Sequence, residues 1–507
     1  MMFGRTTTAR FVRRNCTRQF EINGQRQGQL WQYRRQFASA AGNAGTAKAD
    51  DIYDVVCVGG GPAGLSLLTA LRANPVTAGL RLALVEAQDL DQLRAYSPAP
   101  EKFANRCSSL TPSSARYLDR IGAWTHMRRE RVQAYEAMRV WDGVSGARIA
   151  FDQPVGATMP SDTGSTVAYM VENSNLTAGL LSRLDELGGV AVFDGARVDS
   201  IEYGKADDGL DLSEWPAVRV SGGKTLLARL LVGADGANSP VRTFADIEAC
   251  GWYYGRHGVV ATLELDEDSA ILGAGRKTAY QRFLPTGPVA MLPLPGRLAT
   301  LVWSTTPERA ARLRSLAPDD FVALVNAAFR LRPVELTYLH GQPSGQVDEV
   351  AWRLQQEGGG VPDVADMPPH VVGVQAGTVA SFPLRMRHAD AYVGERVALV
   401  GDAAHTVHPL AGQGLNQGQG DVESLARAIA YAVAHGQDLG VRSSLEPYPA
   451  ERYAANHVLL GVCDKLHKLY VVENGPLVPL RSWGLRAVDA LQPVKAFLMR
   501  QAAGGTR

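Results

Sequence analysis

The apolar positions of this chain fall into short, sharply bounded runs. Ile52, Val55, Val56, Cys57 and Val58 form a β-branched run that predicts a buried parallel strand. Leu65, Leu67, Leu68, Ala70 and Leu71 follow at helical spacing, and residues 80–85 predict a second strand ending at Glu86. The strand-then-turn pattern returns twice far downstream. Residues 230–232 run into Gly233-Ala234-Asp235-Gly236, and residues 397–400 run into Gly401-Asp402. Asp421, Val422, Leu425, Ala426, Ile429 and Ala430 then predict a long helix. Near the C-terminus, Val458, Leu459, Val462, Leu466, Leu469 and Tyr470 predict an amphipathic helix with Lys465 and Lys468 between them. Its stripe reads as a face packed on a core, or as a surface turned to a membrane or partner.

The first of these turns carries specific chemistry. Gly59-Gly60-Gly61-Pro62-Ala63-Gly64 fits G-x-G-x-x-G between a strand and a helix, and Glu86 lies 22 residues past Gly64. That unit binds dinucleotides. Gly59 permits the tight turn, Gly61 lets backbone approach a pyrophosphate, and Gly64 lets helix and strand pack closely. The helix N-terminus offers free N–H groups to phosphate. A carboxylate at Glu86 suits a ribose with free hydroxyls, hence FAD or NAD rather than NADP.

Composition narrows the class. Of 507 residues, 46% are apolar and 20% charged, which is ordinary for a globular chain and too apolar for disorder. The 52 glycines have no three-residue period, which excludes collagen. No run of about 18 apolar residues occurs, so no membrane-spanning helix is predicted. Five cysteines without a CxxC pair suggest a reduced compartment and no structural zinc. The ten histidines show no HExxH or facial ligand spacing, and no metal site is expected.

The formal net charge of +1 hides an asymmetry and gives no sign of a nucleic-acid partner. The first 37 residues hold eight arginines, no lysine and a single acid, Glu21, with Thr6, Thr7 and Thr8 among them. This Arg-rich, acid-poor composition predicts a mitochondrial transit peptide over 1–37, with Arg35 third from a cut before Ala38. The alternative is a basic arm for RNA or an acidic surface. Residues 38–50 read as a small, polar linker. Without 1–37 the balance is 44 basic to 50 acidic residues, a net −6.

In order and spacing, the three Gly/Asp turns resemble the aromatic-hydroxylase type of flavoprotein monooxygenase. Residues 233–242 look like that family's DG motif, and 401–416 its GD motif. Val171-Glu172-Asn173-Ser174-Asn175-Leu176, the strand pair at 279–294, and the stretch from His405 to Asn416 resemble signatures of the ubiquinone-biosynthesis hydroxylases. The likeness spans roughly residues 50–505. One departure is Thr406, where many relatives carry arginine.

The resemblance implies an α/β fold. A Rossmann-like FAD-binding domain would be discontinuous, from 50–130, 170–245 and 380–430. A mostly antiparallel substrate domain would come from 131–169 and 246–379, with a loop-rich insertion near 330–380. A C-terminal helical region would cover 431–507. FAD is the implied cofactor. Gly59, Gly61 and Gly64 would lie at its pyrophosphate and Glu86 at its adenosine ribose. Arg106 would approach the cofactor, while Asp235 and Gly236 take part in nucleotide contacts. Asp402 would bind the ribityl and pyrophosphate portion. The loop from Pro409 to Asn416, with Gly412 and Gly414, would set backbone N–H groups against the flavin's pyrimidine edge.

The implied reaction is hydroxylation at ring carbon 5 of a polyprenylated 4-hydroxybenzoate intermediate of ubiquinone biosynthesis, by a flavin hydroperoxide formed from oxygen. The flavin carries that chemistry, so no catalytic side chain is assigned. The strands around Phe283, Leu284, Pro285, Met291, Leu292 and Pro293 are candidates for the substrate side, with sheet core as their plainer reading. His405 and His408 flank the GD loop and read as structural hydrogen-bonding groups. The family further implies electrons from a ferredoxin and its reductase. It implies other ubiquinone-biosynthesis proteins as partners, and a peripheral place on the matrix side of the mitochondrial inner membrane. The competing readings are an oxidoreductase or epoxidase acting on another prenyl lipid, and a flavin-bound scaffold without turnover.

Overall fold

The structure, a computed structural model, describes residues 51–151, 166–207, 210–266, 277–356, 367–407, 412–472 and 475–491. The chain divides into two compact units, Met1–Ile52 and Tyr53–Arg507. The transit-peptide and linker expectations over 1–50 fall outside the described residues. Apart from Ile52 itself, every described strand belongs to the second unit.

The first sheet has eight strands and is built on the β-branched runs. Ile52–Val58 pairs in parallel with Leu82–Val85, which pairs in parallel with Val190–Phe193. On the other side lies Thr225–Gly233, parallel to Val397–Leu399. These strands are apolar on both faces because helices cover both faces. Leu65, Leu68, Leu84, Val232, Leu399 and Ile429 are all buried in this core. The predicted strand at 80–85 begins two residues later, at Leu82.

The second sheet has nine strands and is antiparallel throughout, except where Thr278–Leu284 runs parallel to Ala137–Asp142. Its spine is the 17-residue strand Ala249–Leu265. A separate core of Val259, Leu301, Trp303, Phe321, Leu324 and Phe329 lies between one face of this sheet and a group of helices. A three-stranded sheet of Cys107–Leu110, Ala168–Glu172 and Gln133–Tyr135 and a two-stranded one of Ala206–Asp207 and Leu210–Asp211 complete the strand structure among the described residues.

Three expectations need correction. Ala380–Ala389, expected among the flavin-domain segments, runs instead in the nine-stranded sheet, with Val259 opposite Ser381. The long strand beside it needs a partner on this edge, and the segment supplies it from Ala249 to Val260, with Val371–Val374 pairing beyond. The stretch near 330–380, loop-rich by its Gly and Pro content, is largely ordered structure. It contains the helices Pro333–Gly341 and Gln346–Gln356 and the strand Val371–Val374, with Leu336, Leu339, Val350 and Val371 buried in the second core. Residues 357–366, with their glycines, are not described. The C-terminal helix exists as Pro447–Val471, but with a different buried face. Val458 and Val462 are exposed, and the face turned inward carries Asn456, Leu460, Cys463, Asp464, His467 and Tyr470.

Candidate active site

The three Gly/Asp turns, spread over more than 300 residues of sequence, meet at one edge of the first sheet. Ala234 N–H donates to the Val58 carbonyl (2.8 Å), and Val400 N–H donates to the Gly233 carbonyl (2.9 Å). The C-terminal ends of three neighbouring strands therefore deliver Gly59–Gly61, Asp235–Gly236 and Gly401–Asp402 side by side. That is where open α/β sheets bind ligands.

The glycines differ in what they do. Gly59 sits at φ +108°, and a Cβ there would lie 2.3 Å from the Ala234 carbonyl oxygen. A Cβ on Gly64 would lie 1.9 Å from the Gly59 carbonyl oxygen, so this position sets how closely helix Pro62–Ala73 approaches the strand. Gly61 is the reverse case. A Cβ there would meet no protein atom within 4 Å, so it faces open space. Gly412 at φ +60° caps helix Gln413–Ala434. Gly414 and Asn416, expected in a loop, lie in that helix's first turn. The helix starts eight residues before Asp421, the first position of the pattern that predicted it. Its early glycines serve packing: a Cβ on Gly418 would lie 3.4 Å from the Gly401 Cα.

Two helix N-termini thus point into one cavity of about 1570 Å³. Neither has an acid in its first turn, so both present partial positive charge. Gly61, Arg106, Asp235, Gly236, Asp402, Gly412 and Gly414 all line this cavity. Gly59 and Gly64 stand behind its wall. Glu86 does not line it: its carboxylate accepts from the amides of Gly60 (2.5 Å) and Gln88 (2.7 Å) at the end of the second strand. Asn416 is also turned away, accepting from Thr111 N–H (2.9 Å) and donating to the Ser109 carbonyl (2.8 Å). Pro409 and His408 lie outside the described residues.

The two lining carboxyls are held in contrasting ways. Asp402 opens to the cavity but is backed by protein. Desolvation raises its pKa, and His405 acts in the opposite direction. Asp235 is raised by burial against the pull of Ser239, the Val241 amide and Arg242. Its Oδ2 accepts from Val241 N–H (3.2 Å), while Oδ1 is buried without a hydrogen-bond partner among the described residues. An unsatisfied buried oxygen of this kind calls for a donor from a ligand.

Asp421, predicted only as a helix position, anchors the GD turn. Its carboxylate is fully buried and accepts from His405 Nε2 (2.5 Å), Arg452 Nε (3.1 Å), Asn456 Nδ2 (2.9 Å) and the Gly401 amide (3.3 Å). Burial alone would raise its pKa, but His405, Arg452 and Asn456 outweigh burial and hold it below the usual range. An acid among apolar residues at helical spacing is the signal present in the sequence.

The other half of the cavity is apolar. Side chains alternate along each strand. Gln281 and Phe283 line the cavity, whereas Leu284 enters the second core and Arg282 donates to the Ala328 carbonyl (2.9 Å). Leu292 lines it, whereas Met291 joins the core. Of the six substrate-side candidates, the structure brings only Phe283 and Leu292 to the cavity. Tyr135, Met138, Ile149 and Met170 extend the same wall.

The residues fit a flavin dinucleotide. The space before Gly61, the paired helix ends and the unsatisfied Asp235 oxygen match diphosphate and sugar groups. The cavity also exceeds the roughly 300–1,000 Å³ of a single small-ligand site, leaving room for a second molecule.

Comparison with known proteins agrees. The family described as "FAD binding domain" matches residues 52–358 and 365–460. "Ubiquinone biosynthesis monooxygenase COQ6, mitochondrial" of Schizosaccharomyces pombe is 41% identical over 464 residues, 89% of this chain and 92% of the relative. The protein of the same name from Saccharomyces cerevisiae is 40% identical over 481 residues, covering 91% of this chain and 96% of the relative. Among solved structures, pqsL, "a probable FAD-dependent monooxygenase" of Pseudomonas aeruginosa, superposes with a TM-score of 0.59 at 22% identity, over 86% of this chain and 100% of that one.

Proposed function

This chain belongs to the FAD-binding domain family that includes the mitochondrial ubiquinone biosynthesis monooxygenases, and from that premise we propose that it hydroxylates carbon 5 of a polyprenylated 4-hydroxybenzoate intermediate. It is an FAD-dependent monooxygenase, and its pathway is ubiquinone biosynthesis. The observation that carries the finer reading is the single cavity, polar and helix-capped at one end and apolar at the other. In the reaction one atom of O₂ replaces a ring hydrogen as hydroxyl. The other leaves as water, balanced by an electron pair and two protons.

Bound flavin supplies the oxygen activation. The chain's own residues bind, orient and exclude water. The Gly61 backbone and the N-terminus of helix Pro62–Ala73 hold the diphosphate. Asp402 and Asp235 accept hydroxyl hydrogen bonds from the cofactor's sugar and ribityl groups, aided by Arg106 and Gly236. Gly412 and Gly414, with the N-terminus of helix Gln413–Ala434, would hold the flavin ring, where positive dipole would stabilise negative charge. Phe283, Leu292 and Met170 surround the phenol ring and keep water away from it. Glu86 and Asn416 act from outside the cavity, Glu86 by fixing the glycine turn and Asn416 by tying its helix to strand Cys107–Leu110.

The flavin half is assigned to 50–130, 170–245 and the part of 380–430 beyond strand Ala380–Ala389. The substrate half is assigned to 131–169 and 246–389. Electrons come from a ferredoxin and its reductase. The relatives named above are mitochondrial, and residues 1–37 serve as the matrix address. The protein works peripherally on the matrix side of the inner membrane with other enzymes of the pathway. Among the described residues, no helix is long and apolar enough to cross a membrane.

Metabolite analysis of a deletion strain tests this reading. A prenylated ring lacking the carbon-5 hydroxyl should accumulate, and normal quinone levels would reject the assignment. Rescue of that strain by Asp402→Ala would favour a scaffold over an enzyme. A purified protein that stays colourless after reconstitution with FAD would remove the cofactor premise.

A further inference from the structure

The helix Leu477–Ala490 is attached to the rest of the molecule in an unusual way. Among its described side chains only two are buried, and both are polar: Arg481 and Ser482. Leu480 and Trp483 are 67% and 76% exposed. An ordinary surface helix buries an apolar stripe and exposes its charges. Among the described residues the contact is mixed: Arg481 and Ser482 are buried, and Val488 packs against the apolar cluster of Val140, Ile149, Phe283 and Tyr470.

The buried polar contact of this helix is a clamp. Arg481 Nε and Nη2 donate to the two oxygens of Asp142 at 2.9 and 3.1 Å, a bidentate pair with both side chains 1% exposed. Arg481 Nη1 donates to the Leu469 and Val472 carbonyls at 2.9 and 2.6 Å. The far side of Asp142 is also satisfied, by the Val144 amide (3.0 Å) and the Ser145 hydroxyl (2.7 Å). The guanidinium lies over the Tyr470 ring at 5.2 Å, and that ring stacks on Phe283 at 4.0 Å. The clamp therefore joins the helix to the end of a strand of the second sheet and to the aromatic pair at the apolar end of the cavity.

A buried ion pair is a poor source of net stability, since two apolar residues of similar size often do as well. It does specify one orientation. That matters here because the helix forms part of the cavity wall. Leu480, Gly484 and Val488 line the cavity together with Leu466, Leu469 and Tyr470 of the preceding helix. Leu480 and Gly484 are also exposed, so the cavity reaches the surface under this helix. The apolar end is thus closed by an element whose orientation is set by a buried charged contact beside the packing of Val488.

We propose that Asp142 and Arg481 are specificity-determining residues: their ion pair fixes helix Leu477–Ala490 as the wall against which a long apolar substituent of the substrate lies. The inference rests on the hydroxylase reading above. A ring placed beside the flavin with its chain directed along Phe283, Tyr470 and Leu480 would bury the chain only while that helix is held. A short substituent ends before this wall and gains nothing from it. The clamp therefore acts on the difference between long and short chains, and does so through binding. Neither residue takes part in the chemistry.

The test compares holoenzymes of wild type, Arg481→Met, Asp142→Asn and Arg481→Lys on a phenol carrying a long prenyl chain and on one carrying a short chain. In Arg481→Met, KM for the long-chain phenol should rise about tenfold more than KM for the short-chain one, with the change in KM rather than kcat. Arg481→Lys, which keeps the charge but not the fork, should recover part of that ratio. Amide hydrogen exchange along residues 477–490 should quicken in the Met variant and not along Gln413–Ala434. Equal changes for both substrates, or none, would overturn the proposal, because a merely structural contact affects both alike. If Arg481→Met loses its flavin, the same ratios are read in Asp142→Asn and Arg481→Lys. If the wild type hydroxylates neither phenol, the hydroxylase reading fails. The clamp is then judged by binding of a long-chain against a short-chain prenyl alcohol, and a selectivity unchanged in Arg481→Met would overturn it.

Discussion

Asp421 concentrates more of the architecture than any glycine in the site. It ties His405, Arg452 and Asn456 to the Gly401 amide from a fully buried position. Removing one member of a buried charged set leaves the others unpaired. Asp421→Asn should therefore cost about 3 kcal/mol of unfolding free energy, read by urea titration of the holoprotein. Flavin content should fall with it, because Gly401 and Asp402 lose their anchor. Gly61 and Gly64 make an opposed pair. A valine at Gly61 occupies only the space left for the cofactor, at an ordinary φ of −75°. Gly61→Val should leave the apoprotein's Tm intact and abolish FAD retention. Gly64→Ala drives its Cβ into backbone and should lower the Tm of the apoprotein as well. Equal behaviour of the two variants would contradict this placement of the pyrophosphate.

At the level of elements, periodicity identifies the strands better than the helix faces. The runs at Ile52–Val58 and Val397–Leu399 are apolar on both sides, and only a covered parallel strand tolerates that. The start of helix Gln413–Ala434 is hidden in the sequence because Gly414, Gly418 and Gly420 read as loop. They lie in the helix all the same, with Gly414 beside Val407, Gly418 against the Gly401 backbone and Gly420 against the Arg452 guanidinium. The buried face of Pro447–Val471 escapes the apolar pattern for a related reason. Its inward side meets Asp421, Tyr392 and the Tyr254 ring and so carries Asn456 and His467, which no apolar count detects. Substitution separates the faces. Leu460→Ala, at a position 2% exposed, should cost about 3 kcal/mol. Val462→Lys should stay within about 0.5 kcal/mol of wild type. Chemical denaturation of both variants gives the comparison. The Asp142–Arg481 contact spans 339 residues, and nothing local in the sequence announces it.

Over the whole molecule, burial of imidazoles sets a direction for stability with pH. His388 is held down to about 4, first by burial and then by the neighbouring His405 and His457. His340 is held down to about 3 by burial and by Arg309 and Arg312. The two lie in different regions. His388 donates or accepts at the Tyr392 hydroxyl (2.8 Å) in the network that includes Asn456, while His340 packs beside Trp303 of the second core. In the unfolded chain both would take up protons near the ordinary value of 6.5. Between pH 6.5 and about 4 the unfolded state therefore binds protons that the folded state refuses, and stability falls as pH falls through that window. Above it neither group contributes a slope. Asp421, held low, adds a further loss only at more acid pH, below its ordinary value of 3.8. Urea midpoints between pH 7.5 and 5 should decline, and His340→Gln with His388→Gln should flatten that decline while leaving the loss below pH 4 in place. A midpoint that is level from pH 7.5 to 5 in the unaltered chain would mean that these imidazoles reach solvent. The two cores would then be less closed than the packing around Trp303 and Tyr392 describes.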